Sequence, residues 1–158
     1  MKVALVYYSL EGNTQYVAEQ IAAHLDVDIF KLRSVKTYPK GTVSKYLWGG
    51  KSVMMGEKPE LEPYDFNPNN YDLILIGTPI WASSFAPPIK TFLAENNLSQ
   101  KKIALFTCSA GGGSQKCMKQ FQEALPNCEI LSTLDLVNPM KKKQAADIEK
   151  IKQFCQSF

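Results

Sequence analysis

The chain has 158 residues, of which 45% are hydrophobic, and its formal net charge is +3. A chain of this length can bury a sizeable apolar core, and we interpret residues 1–158 as a single domain. No apolar run reaches the roughly 18 residues of a membrane-spanning helix, so we expect no contact with a membrane. The apolar run at residues 3–8 is short and has no small-residue cleavage site after it. This pattern argues against a secretory signal and predicts a cytoplasmic protein.

Few residues suit a metal centre or a disulfide framework. The four cysteines form no CxxC pair, and a chain of this size and apolar content does not need disulfides for stability. We interpret the one histidine, His24, as a solvated helix residue, because a single histidine is too few for a typical histidine-based metal site. The sequence therefore predicts no bound metal.

The 18 basic and 15 acidic residues are scattered along the chain, and the one basic run is Lys141–Lys143. We interpret that run as the solvated start of a helix, with a patch for an acidic partner as the alternative. The basic residues are not interleaved with aromatic ones and match no nucleic-acid motif. We therefore expect no nucleic-acid partner.

Short apolar runs alternate with segments of helical period. The first half is predicted to hold a strand at Val3–Tyr8, a helix at Thr14–Leu25, an edge strand at Asp28–Arg33, and a long connection at Val35–Asn70 with a short helix around Val43–Trp48. The second half is predicted to hold a strand at Leu73–Ile76, a helix at Ile89–Leu93 entered through Pro87 and Pro88, a strand at Ile103–Phe106, a helix around Met118–Leu125, a strand at Ile130–Val137 and a closing helix around Ile148–Cys155.

This alternation predicts an α/β fold with parallel strands joined by right-handed crossovers and helices on both faces. Five strands in this pattern favour a doubly wound sheet of order 2-1-3-4-5, which forms a three-layer sandwich. Ligands of such sheets bind beyond the carboxyl ends of the strands, where the winding direction reverses. We therefore look for the site in the loops that follow the first, third and fourth strands.

The loop Ser9–Thr14 joins the first strand to the first helix. Its glycine and small polar residues leave backbone N–H groups free at a helix N-terminus, which favours a bound phosphate. Side chains of Ser9, Asn13 and Thr14 add donors, whereas a plain helix cap by Asn13 or Thr14 is the alternative. The loop lacks the GxxxxGK(S/T) and GxGxxG patterns, which argues against a nucleoside triphosphate or a Rossmann dinucleotide site.

The loops after the third and fourth strands suit a planar ligand. Thr78–Pro87 carries Trp81 just past a buried strand, where its ring can stack on a ligand or pack on the next helix. Thr107–Ser114 contains three successive glycines, which can lay backbone groups against a ring edge or simply form a flexible turn. Cys108 precedes these glycines, and we interpret it as a small buried residue, with a redox-active thiol as the alternative.

Together these three loops resemble the flavodoxin family, and the resemblance covers essentially the whole chain. In that family the first loop has the form Ser/Thr-x-Thr/Ser-Gly-Asn-Ser/Thr and wraps the phosphate of FMN. Here Glu11 stands where a hydroxyl residue is usual, so its side chain is expected to point away from the phosphate. The resemblance implies an FMN site made of Ser9, Leu10, Glu11, Gly12, Asn13 and Thr14 around the phosphate, Thr78, Pro79, Ile80 and Trp81 along the ribityl chain and ring, and Ser109, Ala110, Gly111, Gly112 and Gly113 at the ring edge.

Two departures from the family's electron carriers guide the expected function. No aromatic residue lies between Thr107 and Gln120 to cover the outer face of the flavin, and the chain is basic where carriers are acidic. We therefore expect an FMN-dependent oxidoreductase that accepts hydride from NAD(P)H and passes electrons to a quinone or other small acceptor. The alternatives are a one-electron carrier that docks to larger redox enzymes and, more remotely, a flavin-free signalling domain.

Overall fold

The computed structural model describes residues 1–39 and 50–158. The short helix predicted around Val43–Trp48 lies outside the described residues. The strands are β1 Val3–Tyr7, β2 Asp28–Lys31, β3 Leu73–Trp81, β4 Ser84–Phe85, β5 Lys102–Ser109 and β6 Glu129–Val137. The helices are α1 Asn13–Ala22, α2 Pro87–Glu95, α3 Ser114–Ala124, α4 Pro139–Lys142 and α5 Ala145–Cys155, with a 3-10 turn at Pro68–Asn70 and helical residues at 50–54.

The sheet has the order β2-β1-β3-β5-β6, and all four pairings along this path are parallel. The two-residue strand β4 pairs antiparallel with the end of β3 and lies outside this strand order. The predicted doubly wound order 2-1-3-4-5 is therefore confirmed. Within the described ranges, no helix is both long and apolar enough to cross a membrane.

Two apolar layers enclose the sheet, as expected when helices cover both faces of a parallel sheet. Leu73 and Leu75 of β3 face the layer that contains residues of α1 and α5. Ile74 and Ile76 face the opposite layer, which contains residues of α2 and α3. All four side chains are fully buried. Burial of each such side chain contributes about 1.5–3 kcal/mol, so the central strand is firmly anchored.

Gly77 marks the point on β3 where the sheet packs most closely. A Cβ placed on this residue would lie 2.0 Å from Cζ of the Phe106 ring. Phe106 is fully buried on the neighbouring strand β5, so its ring occupies the space that any side chain at Gly77 would need. The close approach explains a glycine in the middle of a buried strand.

The third strand is longer than the sequence predicts. β3 continues past Gly77 to Trp81, and a two-residue turn at Ala82 and Ser83 then leads into β4. Both turn residues have positive φ, 47° and 62°, which matches the twist of a tight hairpin. The segment predicted as a loop after Gly77 is thus a hairpin that holds Trp81 at the edge of the sheet.

The interpretation of Lys141–Lys143 as the start of a helix is wrong. Lys141 and Lys142 form the last turn of α4, and Lys143 follows as its C-cap with φ of 44°. The helix begins instead at Pro139, a residue type suited to a first turn. Lysines at the end of a helix interact favourably with the negative end of its dipole.

Candidate functional site

A cavity opens beyond the carboxyl ends of β1, β3, β5 and β6. It comprises about 760 Å³ of unfilled space, a volume that includes open solvent at its mouth. Ten of the predicted site residues line it: Ser9, Leu10, Glu11, Asn13, Thr14, Pro79, Ile80, Trp81, Ser109 and Ala110. Four others were not among the predicted site residues: Gly50, Ala82, Cys108 and Asn138.

The first turn of α1 forms one wall of the cavity. Gly12 precedes the helix with φ of 105° and donates its N–H to Ser9 Oγ at 3.2 Å. No side chain caps the helix, and the Tyr16 N–H bonds to the Gly12 carbonyl at 2.8 Å. The amides before Tyr16 therefore have no acceptor within the helix, and the positive end of its dipole favours an anion there. The alternative of a plain side-chain cap by Asn13 or Thr14 is wrong.

Asn13 is held from the other side of the cavity. Its side-chain oxygen accepts a hydrogen bond from the Met140 N–H at 3.1 Å, which ties α1 to the start of α4. Asn138 stands two residues earlier, in the left-handed conformation with φ of 47°. Its backbone N–H donates to the Ser109 carbonyl at 2.9 Å and its side-chain Nδ2 to the Ala110 carbonyl at 3.3 Å. The turn before α4 thus connects the first and third loops.

Three of the lining residues carry a buried polar atom without a partner. These atoms are Thr14 Oγ1, Trp81 Nε1 and Ser109 Oγ, and none has a hydrogen-bond partner among the described residues. An unsatisfied buried donor or acceptor costs about 1–3 kcal/mol, so such groups are rare without a reason. Here they belong to three separate elements, α1, β3 and β5, whose ends meet at one cavity that a ligand can fill.

Trp81 lies between the cavity and an aromatic cluster. Its ring packs edge-on with Tyr8, at 5.8 Å between centroids, and with Tyr38, at 5.2 Å. Only 5% of the residue is exposed, so the surrounding rings fix the orientation of the indole. Burial, with the Glu57 carboxylate as a smaller cause, raises the pKa of Tyr38 to about 12. The cluster is therefore uncharged at neutral pH.

Five predicted site residues do not line the cavity. Thr78 is fully buried, and its hydroxyl accepts the Ala86 N–H and donates to the Pro79 carbonyl, both at 2.9 Å. Gly113 caps α3 and packs against Ser83 of the hairpin turn. The others are Gly12, which lies under Met140, and the exposed glycines 111 and 112. Gly12, Thr78 and Gly113 shape the loops from behind the lining residues.

Cys108 and Glu11 are the lining residues with titratable side chains. Burial raises the pKa of the Cys108 thiol to about 12, so the thiol is neutral at physiological pH. Glu11 is exposed at the mouth. Among the residues that the structure describes, no cluster of three or more His, Cys, Asp or Glu side chains can hold a metal ion. The cavity therefore offers groups that bind and orient a ligand rather than a nucleophile or an acid–base pair.

Of the four added residues, Asn138 and Gly50 lie outside the three loops that the sequence analysis singled out. The Asn-Pro pair at Asn138 and Pro139 follows a predicted strand, and such pairs mark turns, so this signal was present in the sequence. Gly50 carries no comparable signal, because it reaches the cavity through the long connection between β2 and β3.

The chain is similar to known proteins along nearly its whole length. A family model described as Flavodoxin matches residues 2–151. A flavoprotein from Lactobacillus acidophilus NCFM, solved in complex with FMN, is 25% identical over 89% of this chain and 97% of that chain, with a TM-score of 0.74. A putative flavoprotein from Bacteroides uniformis ATCC 8492 is 24% identical, over 98% and 97%, with a TM-score of 0.79. Oxidised Flavodoxin 2 from Bacillus cereus is 20% identical, over 99% and 97%, with a TM-score of 0.62.

Proposed function

Because the chain belongs to the flavodoxin family, we propose that residues 1–158 form one domain whose cavity holds a single FMN used for electron transfer. FMN is the cofactor of this family, and the Lactobacillus acidophilus flavoprotein is similar to this chain and contains it. The observation that carries the proposal is the meeting of Thr14 Oγ1, Trp81 Nε1 and Ser109 Oγ, three buried polar atoms without partners among the described residues, at one cavity.

The groups around the cavity fit the parts of FMN. The uncapped first turn of α1, with Ser9 and Thr14, offers N–H and O–H donors for a phosphate. Ile80 and Trp81 offer apolar and aromatic surface for the flavin ring. Ser109 and Ala110 offer a hydroxyl and backbone groups for the polar edge of the ring. Bound FMN supplies the redox chemistry, whereas these residues bind, orient and partly desolvate it.

We further propose that the protein is an FMN-dependent oxidoreductase that takes hydride from NAD(P)H and reduces a quinone or another small acceptor. Support comes from the loop after β5, where residues 110–113 are one alanine and three glycines, and glycines 111 and 112 are exposed. A loop without an aromatic side chain leaves room for a nicotinamide ring beside the flavin.

A one-electron carrier is the second candidate. It is favoured by the likeness of the fold to flavodoxins, including Flavodoxin 2 from Bacillus cereus, along nearly the whole chain. In that case a redox partner protein, rather than a nicotinamide, gives or takes the electrons.

The flavin content of the purified protein tests the cofactor. We expect a yellow protein that releases FMN rather than FAD on denaturation, identified by chromatography. A colourless protein that takes up no added FMN would remove the proposal.

Anaerobic titration with NADH, NADPH and dithionite, followed by absorbance, separates the two candidates. We expect reduction by a nicotinamide and a direct change from the oxidised to the two-electron-reduced spectrum. Reduction by dithionite alone, through a stable one-electron stage, would establish the carrier instead.

A further inference from the structure

Asn138 stands in the turn between β6 and α4, where its carbonyl, its N–H and its side-chain amide all have partners. The carbonyl accepts the N–H groups of Lys141 and Lys142, at 3.1 and 3.0 Å. The backbone N–H donates to the Ser109 carbonyl at 2.9 Å, and the side-chain Nδ2 donates to the Ala110 carbonyl at 3.3 Å. Asn138 therefore joins the start of α4 to the loop that follows β5.

The turn that carries Asn138 is itself anchored. The next residue, Pro139, is buried, and the Met140 N–H donates to Asn13 Oδ1 at 3.1 Å. Asn138 has the left-handed conformation, with φ of 47° and ψ of 49°, which asparagine adopts more readily than most residues. The donors of Asn138 are therefore held in one direction.

The loop on which Asn138 acts has little other support. We name residues 109–113 the ring-edge loop. Its middle part, residues 110–112, is exposed, and nothing lies within 4 Å of a Cβ placed on either glycine there. Gly113, at the end of the loop, packs against the turn between β3 and β4. Within the described residues, the hydrogen bond that reaches Ala110 comes from Asn138.

The bonds from Asn138 set the direction of two backbone donors. In a trans peptide, the C=O and the N–H that follows it point in opposite directions. Because the carbonyls of Ser109 and Ala110 point to Asn138, the N–H groups of Ala110 and Gly111 point away from it. Neither N–H donates to a backbone carbonyl among the described residues, and Ala110 lines the cavity. Both donors are thus available to a ligand.

Resting on the proposed FMN site, we propose that Asn138 is a positioning residue, which aims the N–H groups of Ala110 and Gly111 at the edge of the flavin ring and thereby stabilises the reduced cofactor. Reduction by two electrons and one proton leaves a negative charge on the ring. Hydrogen bonds to a charged acceptor are about twice as strong as bonds to a neutral one. Donors that are held in place before reduction stabilise this charge without reorganising.

Direct contact between Asn138 and the flavin is the competing explanation, because Asn138 also lines the cavity. Its side-chain amide already donates one N–H to the Ala110 carbonyl, so a direct contact would use the other N–H or the side-chain oxygen. Removal of the side chain would then leave the ring-edge loop in place. A positioning role instead predicts that the loop becomes more mobile.

Asn138→Gly removes the side-chain bond and retains the backbone bonds. Glycine adopts the left-handed conformation without steric cost, so the turn and α4 should remain. Loss of one neutral hydrogen bond should lower the affinity for oxidised FMN about two- to tenfold. Riboflavin should lose the same factor, because Asn138 acts on the ring and not on the phosphate. Calorimetric titration of the apoprotein measures both ligands.

Potentiometric titration of the bound cofactor, with a redox dye as indicator, measures the second effect. The reduced ring gains more from the two donors, so its affinity should fall by about a further three- to tenfold. For a two-electron couple this ratio lowers the midpoint potential by about 15–30 mV. The substitution changes no charge, so Glu11 and the lysines of α4 contribute equally in both proteins.

Gln100→Gly is the matched control. Gln100 has φ of 63°, and its N–H donates to the Asn127 carbonyl at 2.7 Å. Its amide side chain is exposed just before β5, at the opposite end of the sheet from the cavity. The control thus removes an uncharged amide from another left-handed residue. Affinity and potential should equal those of the parent protein, and equal shifts in the two variants would overturn the proposal.

Backbone amide relaxation, measured by NMR on the apoprotein, reports on the ring-edge loop without flavin. The order parameters of the Ala110 and Gly111 amides should fall from about 0.85 toward about 0.6 in Asn138→Gly and stay unchanged in Gln100→Gly. Unchanged order together with a lower flavin affinity would indicate direct contact. An Asn138→Gly protein that does not fold would show that the residue serves the scaffold. Either result overturns the positioning role.

Failure of the proposed FMN site looks different. The parent protein and both variants then contain no flavin and take up none, and the positioning role falls with the site. Flavin bound by all three proteins with the same affinity and the same potential would leave the FMN site intact and remove the role of Asn138 alone.

Discussion

Thr78 and Thr14 are both buried threonines at the same end of the sheet, yet they differ in their hydrogen bonds. The Thr78 hydroxyl makes two bonds of 2.9 Å, to the Ala86 N–H and to the Pro79 carbonyl. The Thr14 hydroxyl has the Cys108 thiol as a close neighbour but makes no hydrogen bond of good geometry with any residue in the described part of the chain. Thr78 lies inside β3, away from the cavity lining, whereas Thr14 lies in the first turn of α1 and lines the cavity.

The same contrast extends to their neighbours. Where β3 pairs with β5 the packing is complete, since the Phe106 ring fills the space over Gly77. Among the residues that line the cavity, Trp81 Nε1 and Ser109 Oγ are buried and unpaired within the described residues. A scaffold gains stability from satisfied groups, whereas a binding site keeps polar groups free for its ligand. We therefore expect substitutions at the packed strand positions to change folding stability. Substitutions at the cavity-lining positions should instead change the affinity for the cofactor.

The largest effect is expected from Gly77→Ala, at a packed position inside β3. The new methyl group would overlap the buried Phe106 ring, and overpacking of this kind destabilises by about 3 kcal/mol. Urea unfolding of the apoprotein measures the change. Gly111→Ala is the control, because nothing lies within 4 Å of its added Cβ, and its effect should stay within about 0.5 kcal/mol. Similar losses for the two variants would contradict the packing argument.

The next prediction exchanges an unpaired hydroxyl for a methyl group. Thr14→Val removes a buried group without a described partner, so the stability of the apoprotein should not fall. A hydrogen bond to a charged group contributes about 1.5–3 kcal/mol, so affinity for FMN should fall about ten- to hundredfold. Affinity for riboflavin, which lacks the phosphate, should change less. Calorimetric titration of the apoprotein measures both ligands.

Thr91→Val is the matched control. Thr91 is also buried, but its hydroxyl donates to the Pro59 carbonyl at 2.7 Å and lies away from the cavity. This variant should lose about 1 kcal/mol of stability and retain its affinity for FMN. Loss of stability in Thr14→Val, with unchanged FMN affinity, would mean that the Thr14 hydroxyl serves the scaffold after all.

The scaffold was the part that the sequence could predict. Continuous apolar runs such as Leu73–Ile76 are typical of strands covered on both faces. Their alternation with helices favours one order of parallel strands, because the crossovers are right-handed. The extension of β3 to Trp81 was missed because Pro79 demotes a strand pattern. The hairpin turn was missed because Ala82 and Ser83 are not the Asn-Gly type that such turns favour.

The sequence predicts most of the residues that line the cavity, but not the hydrogen bonds that their side chains make. Local composition indicates which loops contain donors, but not which donors already have partners. Thr78 and Thr14 are alike in sequence, and only the hairpin, with its Ala86 N–H, distinguishes them. Asn138 reaches the cavity through contacts with Ser109 and Ala110, nearly thirty residues away in the chain, which no local pattern encodes.

Trp81→Phe, in the cavity lining, should have a smaller effect on the affinity for FMN. Phenylalanine keeps an aromatic ring beside Tyr8 and Tyr38 but removes the buried Nε1–H, which has no acceptor among the described residues. A neutral hydrogen bond contributes about 0.5–1.5 kcal/mol, so FMN affinity should fall about two- to tenfold. Flavin fluorescence titration measures the affinity. An unchanged affinity would show that the indole N–H does not meet the cofactor.

The smallest effect concerns Cys108, which lines the cavity but is buried within β5. Burial raises the pKa of its thiol to about 12 in the folded protein, against about 8.5 in an unfolded chain. The unfolded state therefore loses this proton first as the pH rises. The thiol's contribution to stability is fully present below about pH 8.5 and is lost progressively up to about pH 12. At pH 9 the loss amounts to about 1 kcal/mol.

Comparison of the parent protein with Cys108→Ala isolates this contribution. Urea unfolding at pH 7 and pH 9 should show a decline in the parent that is about 1 kcal/mol larger than in the variant, because alanine has no proton to lose. Iodoacetamide at pH 8 should leave Cys108 of the folded apoprotein unmodified by mass spectrometry, since the thiolate is the reactive form. Equal declines in the two proteins, together with rapid modification of Cys108, would instead indicate an ionised thiol at the flavin site and revive a redox role for this residue.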